Sequence, residues 1–460
     1  MYKNLIKNTK MASKAAGIEI EALSEWTKEF KTDLKTQIGA SVLQHSNIDE
    51  VLVNRDQEIA DKNVFNHKIE IEGTPVMDQK ASGRCWLFAS TNMLRVVAMK
   101  KYNMKEIKLS PSYLFFYDKL ERANYFLEQI IDTHNEPVDS RLIQWFLTNP
   151  VEDGGQFTMM ASIADKYGIV PDQVFPDSFN TTTSRIMNRM LNFKLREFAM
   201  TLRNALGKGE DITETKKNMQ KEVYRLLTMF LGNPPKPEEE FTWEFYDKDG
   251  KYNSVTTTPR KYSSEVLDFN SPEFVSLLND PRNEYNKMIK VDRLGNIANG
   301  NPVTYLNLET EKLSQAVINR IKNNKPVFFG NDTPKFMDKK RGLLDTDLWD
   351  FKLLGYDHES MSKKDRVLYG DSLMTHAMLI TGVHVDENGK AVRYRVENSW
   401  GTKSGQDGYY VMTEKYFQEY VYQVVVEKEE LAALGIDASI LESKDQIVLP
   451  PYDPMGALAL

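Results

Sequence analysis

One cysteine stands among the 460 residues, Cys85, in the run Gln79-Lys80-Ala81-Ser82-Gly83-Arg84-Cys85-Trp86. It follows a glycine-containing loop and opens an apolar-periodic stretch that reads as a helix toward Lys101. A free thiol titrates near about 8.5 and is mostly protonated at neutral pH. A helix N-terminus presents unpaired N–H groups and about half a positive charge, which is expected to favour the thiolate and lower that value. The Gln79 amide, six residues earlier, can donate hydrogen bonds. Beside the Cys85 backbone N–H it could hold the oxyanion of an acyl-transfer intermediate. The plainer reading is a small buried hydrophobe at the start of an amphipathic helix.

A sulfur nucleophile needs a general base, usually histidine, and the histidine needs an orienting group. Of six histidines, His45, His67, His134 and His358 sit in polar segments and read as solvated. His376 and His384 lie in one strand pattern, an even step apart, so parity does not choose between them. The segment after them does. Thr375–Val385 is followed by Asp386-Glu387-Asn388-Gly389-Lys390 and a second strand, Val392–Asn398. A three-residue turn closed by left-handed Gly389 pairs Asp386 with Lys390, so that paired numbers sum to 776. His376 then faces Trp400, with Asn398 one diagonal step away, about 7–8 Å at Cα. Here His376 takes the thiol proton, the Asn398 oxygen accepts from the far ring nitrogen, and Trp400 shields that bond from water. A two-residue turn would turn Asn398 to the other face. Taken singly, each residue reads as a satisfied strand residue.

The elements that must position these side chains follow from pattern. A helix is expected near Ile18–Leu34, an extended stretch over Lys68–Lys80, and a helix after Ser110-Pro111 with serine as cap. Met219, Val223, Leu226, Leu227 and Phe230 form an apolar stripe ended by Gly232. Phe241, Trp243 and Phe245 alternate before Asp249-Gly250, which predicts a hairpin. Beyond about residue 300, strands dominate: Pro326–Gly330, Thr375–Val385, Val392–Glu397 and Tyr409–Met412. Helices first and strands last imply an α+β fold, with a helical lobe and a sheet lobe across a cleft.

Composition is that of an ordinary globular chain, with 41% apolar and 27% charged residues. Lys plus Arg number 59 against 66 Asp plus Glu, a balance of −7 that argues weakly against nucleic-acid binding. One cysteine makes neither an intrachain disulfide nor a thiolate metal cluster, the histidines show no metal-ligand spacing, and no HExxH occurs. No metal or other cofactor is expected. The polar, basic N-terminus lacks an apolar signal core, and no apolar run nears the roughly 18 residues of a membrane span. A cytoplasmic location is the expectation.

Together QKASGRCW at Gln79–Trp86, THAMLITG around His376 and ENSWG around Asn398 resemble the papain-like cysteine peptidases. KPVFFGND at Lys325–Asp332, EYVYQVVV at Glu419–Val426 and the terminal PYDPMGALAL at Pro451–Leu460 narrow the resemblance to the bleomycin hydrolase and aminopeptidase C family, along essentially the whole chain. The resemblance implies a cytosolic homohexamer with sites facing an inner chamber, acting on peptides with a free N-terminus. It implies Cys85 as nucleophile, His376 as base, Asn398 as orienter and Gln79 as oxyanion donor, with Trp86 and Trp400 in support. Gly154-Gly155 resembles the family's substrate-binding wall, or is a plain turn. Phe328 and Asn331 depart from the aromatic and cysteine the family often carries there. The segments then read as an N-terminal helical extension (1–67), the helical lobe (68–184), an insertion of a helical pair and hairpin (185–300), the β lobe (301–430) and a C-terminal arm (431–460).

In this family the arm lies in the cleft. Its prolines Pro450, Pro451 and Pro454 stiffen it, and Met455-Gly456-Ala457-Leu458-Ala459-Leu460 is small and apolar. A terminal carboxylate at Ala459 or Leu460 near Cys85 would pair with a peptide's α-amine and block longer extensions. Competing readings are an acyltransferase or deamidase using the same triad, or a non-catalytic self-assembling scaffold.

Overall fold

The computed structural model describes residues 17–458, so Ala459 and Leu460 lie outside the described residues. The chain forms two compact units. The smaller joins the described residues up to Glu58 with Asp347–Tyr356, and the larger runs from Ile59 to Thr346 and resumes at Asp357.

In the smaller unit the helix expected near Ile18–Leu34 is two helices, Ile20–Thr32 and Leu34–Leu43. Asp33 divides them because its carboxylate accepts from Lys35 N at 3.1 Å and caps the second. Ile20, Leu23, Trp26 and Leu34 are exposed.

In the larger unit, Cys85–Lys101 is a helix enclosed nearly all round, with only Val97, Lys100 and Lys101 outside the buried set. The apolar stripe expected of it is therefore a whole cylinder, the pattern of a central helix. Pro111–Asp132 begins as expected, with the Ser110 hydroxyl accepting from Tyr113 N at 3.0 Å. Arg185–Gly207 and Thr213–Leu231 form the helical pair, the second ended by Gly232 at φ 93°. Strands Phe241–Tyr246 and Tyr252–Thr257 form the expected hairpin.

One large sheet carries the other half of the unit. From one edge its strands run Gln446–Leu449, Lys287–Val291, Thr304–Asn307, Phe274–Leu278, Val421–Glu427, Val327–Asn331, His376–Val385, Ala391–Glu397 and Tyr409–Thr413, with two short strands beyond. The helices-first order is corrected here. Phe274–Leu278 and Lys287–Val291 join the sheet ahead of residue 300, and helices Thr310–Lys322 and Glu414–Tyr420 fall behind it. Those early strands are covered on both faces, so they show no alternation and leave little strand signal.

The turn after Val385 is the three-residue kind, with Asp386 N donating to Lys390 O at 2.8 Å and Gly389 at φ 77°. The ladder beyond it is not continuous. Val385 pairs with Ala391, His384 with Arg393 and Ile380 with Val396, so one extra residue enters each strand. The two bulges cancel, and the sum is again 776 where the strands approach His376 and Asn398.

A buried ion pair joins helix to sheet. Arg95 Nη2 lies 2.9 Å from Glu397 Oε1, each side chain about 1% exposed, and Asn92 Nδ2 donates to the same oxygen at 3.0 Å. Arg95 also donates to Gly73 O and Pro75 O. Glu397→Ala leaves that guanidinium buried without its anion and should destabilise the protein by about 3–5 kcal/mol, whereas the paired replacement Arg95→Met/Glu397→Leu should recover most of the loss. Urea unfolding of the three proteins measures this.

Candidate active site

Cys85 is held from both sides. The buried Arg84 caps its helix and is anchored by Asp177 at 2.7 Å and Ser112 Oγ at 2.9 Å. Leu87 and Phe88 N–H groups both return to Arg84 O, which leaves the first N–H groups of the helix free to face the sulfur. Upstream, Gln79 N donates to Ser399 O, Ser399 Oγ donates to Gln79 Oε1 at 2.6 Å, and Gln79 Nε2 donates to Ser82 O at 2.6 Å. The amide is thus fixed in orientation with one hydrogen left for a bound oxygen. Gln79, Cys85 and His376 line one cavity of about 560 Å3.

His376 opens its strand opposite Asn331. Its Nε2 lies 2.9 Å from Asn398 Oδ1, and that oxygen also accepts from Ser399 N at 2.8 Å. An atom that accepts from a backbone N–H is the amide oxygen, so Nε2 carries the ring proton and Nδ1 is the acceptor. The Trp400 ring centroid lies 5.0 Å from that of His376, and Lys339 Nζ sits over the indole at 4.3 Å. Asn331, at the position of family departure, donates to Tyr416 Oη at 2.9 Å and is the cross-strand partner of His376. His384 sits toward the turn end of the strand, paired with Arg393. His358, read as solvated, is buried against the Phe336 ring, whose centroid is 4.9 Å away. Apolar contact along the Phe336 face, invisible in its polar local sequence, accounts for that difference.

The expected lowering of the thiol pKa is also corrected. Burial pushes Cys85 up to about 12, against the pull of the backbone N–H groups of Ala377, Trp86 and Cys85 itself; Asp153 adds a small upward push. The N-terminal field is present, but loss of hydration outweighs it. Burial likewise pushes His376 down to about 4, with the Asn398 hydrogen bond opposing and Lys339 assisting. Burial thus favours the neutral form of both groups. For Asp153, burial favours the acid form, but Lys119 at 2.7 Å, Ser184 and Asn188 overcome it and hold the carboxyl well below its usual range.

The Gly154-Gly155 segment packs on the same helix. Trp86 Nε1 donates to Asp153 O at 2.7 Å, and a Cβ on Gly155 would meet the Trp86 indole at 2.7 Å. Glycine is required there for close approach, whatever else it does. Gly154 O accepts from Arg122 Nη2 at 2.9 Å. The C-terminal arm reaches this wall, where Gln156 Nε2 donates to Ala457 O at 2.8 Å. Behind that contact the arm is clamped by Asp453 to Arg282 at 2.7 Å, by Arg141 over the Tyr452 ring at 3.6 Å, and by fully buried Met455.

Several of these holding residues escaped sequence reasoning: Ser399, Asp153, Gln156, Arg282 and the Arg95–Glu397 pair. Only Arg95 left a signal, a charge in the middle of an otherwise enclosed helix. No group of three or more His, Cys, Asp or Glu that could hold a metal occurs among the described residues.

The fold is the papain-like one, and the molecule is a cysteine peptidase. The chain belongs to the Peptidase C1-like family, whose model matches residues 17–456. It is 48% identical to cysteine proteinase 1, mitochondrial, of Saccharomyces cerevisiae over 97% of this chain and 94% of that one. It is 40% identical to bleomycin hydrolase of Mus musculus over 96% and 99%. A crystal structure of pepw from Lactobacillus rhamnosis HN001 superposes with a TM-score of 0.92 at 35% identity, covering 96% of this chain and all of that one.

The depressed imidazole makes a pH prediction. Between about 6.5 and about 4 the unfolded chain binds a proton that folded His376 refuses, so stability falls as pH drops through that window. Equilibrium unfolding across it should show a shallower fall for His376→Gln than for the wild type.

Proposed function

We propose that the chain is a cysteine aminopeptidase that removes N-terminal residues from peptides, in which Cys85 is the nucleophile, His376 the base, Asn398 its orienter and Gln79 the oxyanion donor. The observation that carries this reading is the shared cavity: Gln79, Cys85 and His376 line it together, with Nε2 of the imidazole committed to Asn398. As the sulfur attacks the scissile carbonyl, its proton passes to His376 Nδ1. The carbonyl oxygen takes the charge toward the Gln79 amide and the Cys85 N–H. The imidazolium then protonates the leaving amine, the C–N bond breaks and a thioester remains. Water, deprotonated by His376, hydrolyses it to the free acid and regenerates the thiol. Two neutral partners suit this order, since charge need appear only as the carbonyl is attacked. Amide hydrolysis of the bleomycin type uses the same steps.

On this reading 68–184 and 301–430 are the catalytic lobes, 185–300 the insertion and 431–460 the arm. Docking of Ala457 next to Gly154-Gly155 favours the arm as the block that makes an exopeptidase, with Gly154 and Gly155 along the substrate backbone. The exposed apolar side chains Ile20, Leu23, Trp26 and Leu34 are consistent with burial in a homohexamer. A reducing cytoplasm suits a lone catalytic thiol, although the yeast relative is named as mitochondrial.

With aminoacyl arylamides, Gln79→Ala should lower kcat by about 10²–10³-fold, Cys85→Ala should abolish turnover, and N-acetylated substrates should resist the wild type. Retained activity in Cys85→Ala would refute the assignment, and transfer to an added amine in place of release of the free acid would favour an acyltransferase. Deleting residues 457–460 leaves Met455 in its buried seat. The truncated enzyme should cleave N-acetylated peptides that the full chain spares; an unchanged preference would refute the arm's role.

A further inference from the structure

The cavity that holds Cys85 and His376 has a third wall, the helix Arg185–Gly207. Arg185, Arg189 and Arg196 from that helix line it. Arg196 is engaged with the carbonyls of Leu147 and Thr148. Arg185 and Arg189 stand one helical turn apart and exposed, and neither side chain makes a hydrogen bond or ion pair to any described residue. Spacing of i, i+4 puts both guanidinium groups on the same face.

Among the described residues one acidic side chain lines the cavity, and it does not cancel them. Asp153 is bound to Lys119, Ser184, Asn188 and the Gly83 N–H, so its charge is already met. The protein as a whole carries −7, yet this wall is a local excess of positive charge on the cavity that holds Cys85 and His376. The helix is also a firm platform, since Met187, Leu191, Leu195 and Leu202 are buried beneath it. Two arginines so placed, with no side-chain partner among the described residues, present forked donors that match a carboxylate.

Resting on the peptidase reading above, we infer that Arg185 and Arg189 select peptides carrying a carboxylate beside the scissile bond. Two positions can supply that carboxylate: the side chain of the N-terminal residue, or an acidic residue on the part released. The carboxylate accepts from the guanidinium N–H groups and draws the peptide toward Cys85, and it takes no part in bond breaking.

The test measures kcat/KM ratios within matched pairs, Glu-arylamide against Gln-arylamide and Ala-Glu against Ala-Gln. In the wild type one of the two ratios should be on the order of tenfold in favour of the acid, and the pair that shows it identifies the source. That ratio should fall toward one in Arg185→Gln/Arg189→Gln and in about 1 M salt, where the Debye length is about 3 Å. Lys217→Gln, on the neighbouring helix, should leave it unchanged. Both ratios near one in the wild type, or a ratio that survives the double substitution, would overturn the inference while leaving the peptidase reading intact. If the wild type cleaves none of the four substrates, the peptidase reading fails and the inference falls with it.

Discussion

The salt bridge between Arg95 and Glu397 sits at the centre of the molecule's logic. It spans the helix that begins at Cys85 and the strand that ends beside Asn398. Neither side chain sees water, so each needs the other, and the helix can neither slide nor turn without stranding a charge. Burial disfavours the Glu397 anion and Arg95 favours it; the same opposition acts in reverse on Arg95. From this fixed relation the rest follows: the sulfur at the helix start, the imidazole one strand over, and the amide that holds it.

Around that joint the loops are tied by hydrogen bonds that cross between distant segments. Ser399 grips Gln79 on one side of Asn398's strand end, Asp153 grips Gly83 on the other side of the cysteine loop, and Gln156 receives the arm. Each link joins a residue near the cavity to one far away in sequence. Both thiol and imidazole are buried there, and loss of hydration favours their neutral forms.

Much of this was legible in the sequence because its signals are local. A cysteine opening a helix, the Ser110-Pro111 cap, the Asp249-Gly250 hairpin and the Gly389 turn are each written within a few residues. The turn fixed the pairing sum at 776, and the site end of the ladder keeps it, although through two opposed bulges that no local pattern discloses. What escaped was non-local. The strands at Phe274–Leu278 and Lys287–Val291 are covered on both faces and lack alternation. His358 is buried by Phe336 rather than by its own neighbours. The thiol's environment depends on how completely the lobes enclose it, and a helix N-terminus read in isolation gave the wrong direction for its pKa.

The central claim is that Cys85 alone carries the acyl group during turnover. Rapid acid quenching of the enzyme with an aminoacyl ester, followed by mass spectrometry of the digested protein, tests it most directly. The account predicts a mass increase equal to the aminoacyl group on the peptide that contains Cys85, lost on treatment with hydroxylamine. Rapid turnover with that peptide unmodified, or with the acyl group on another residue, would contradict it.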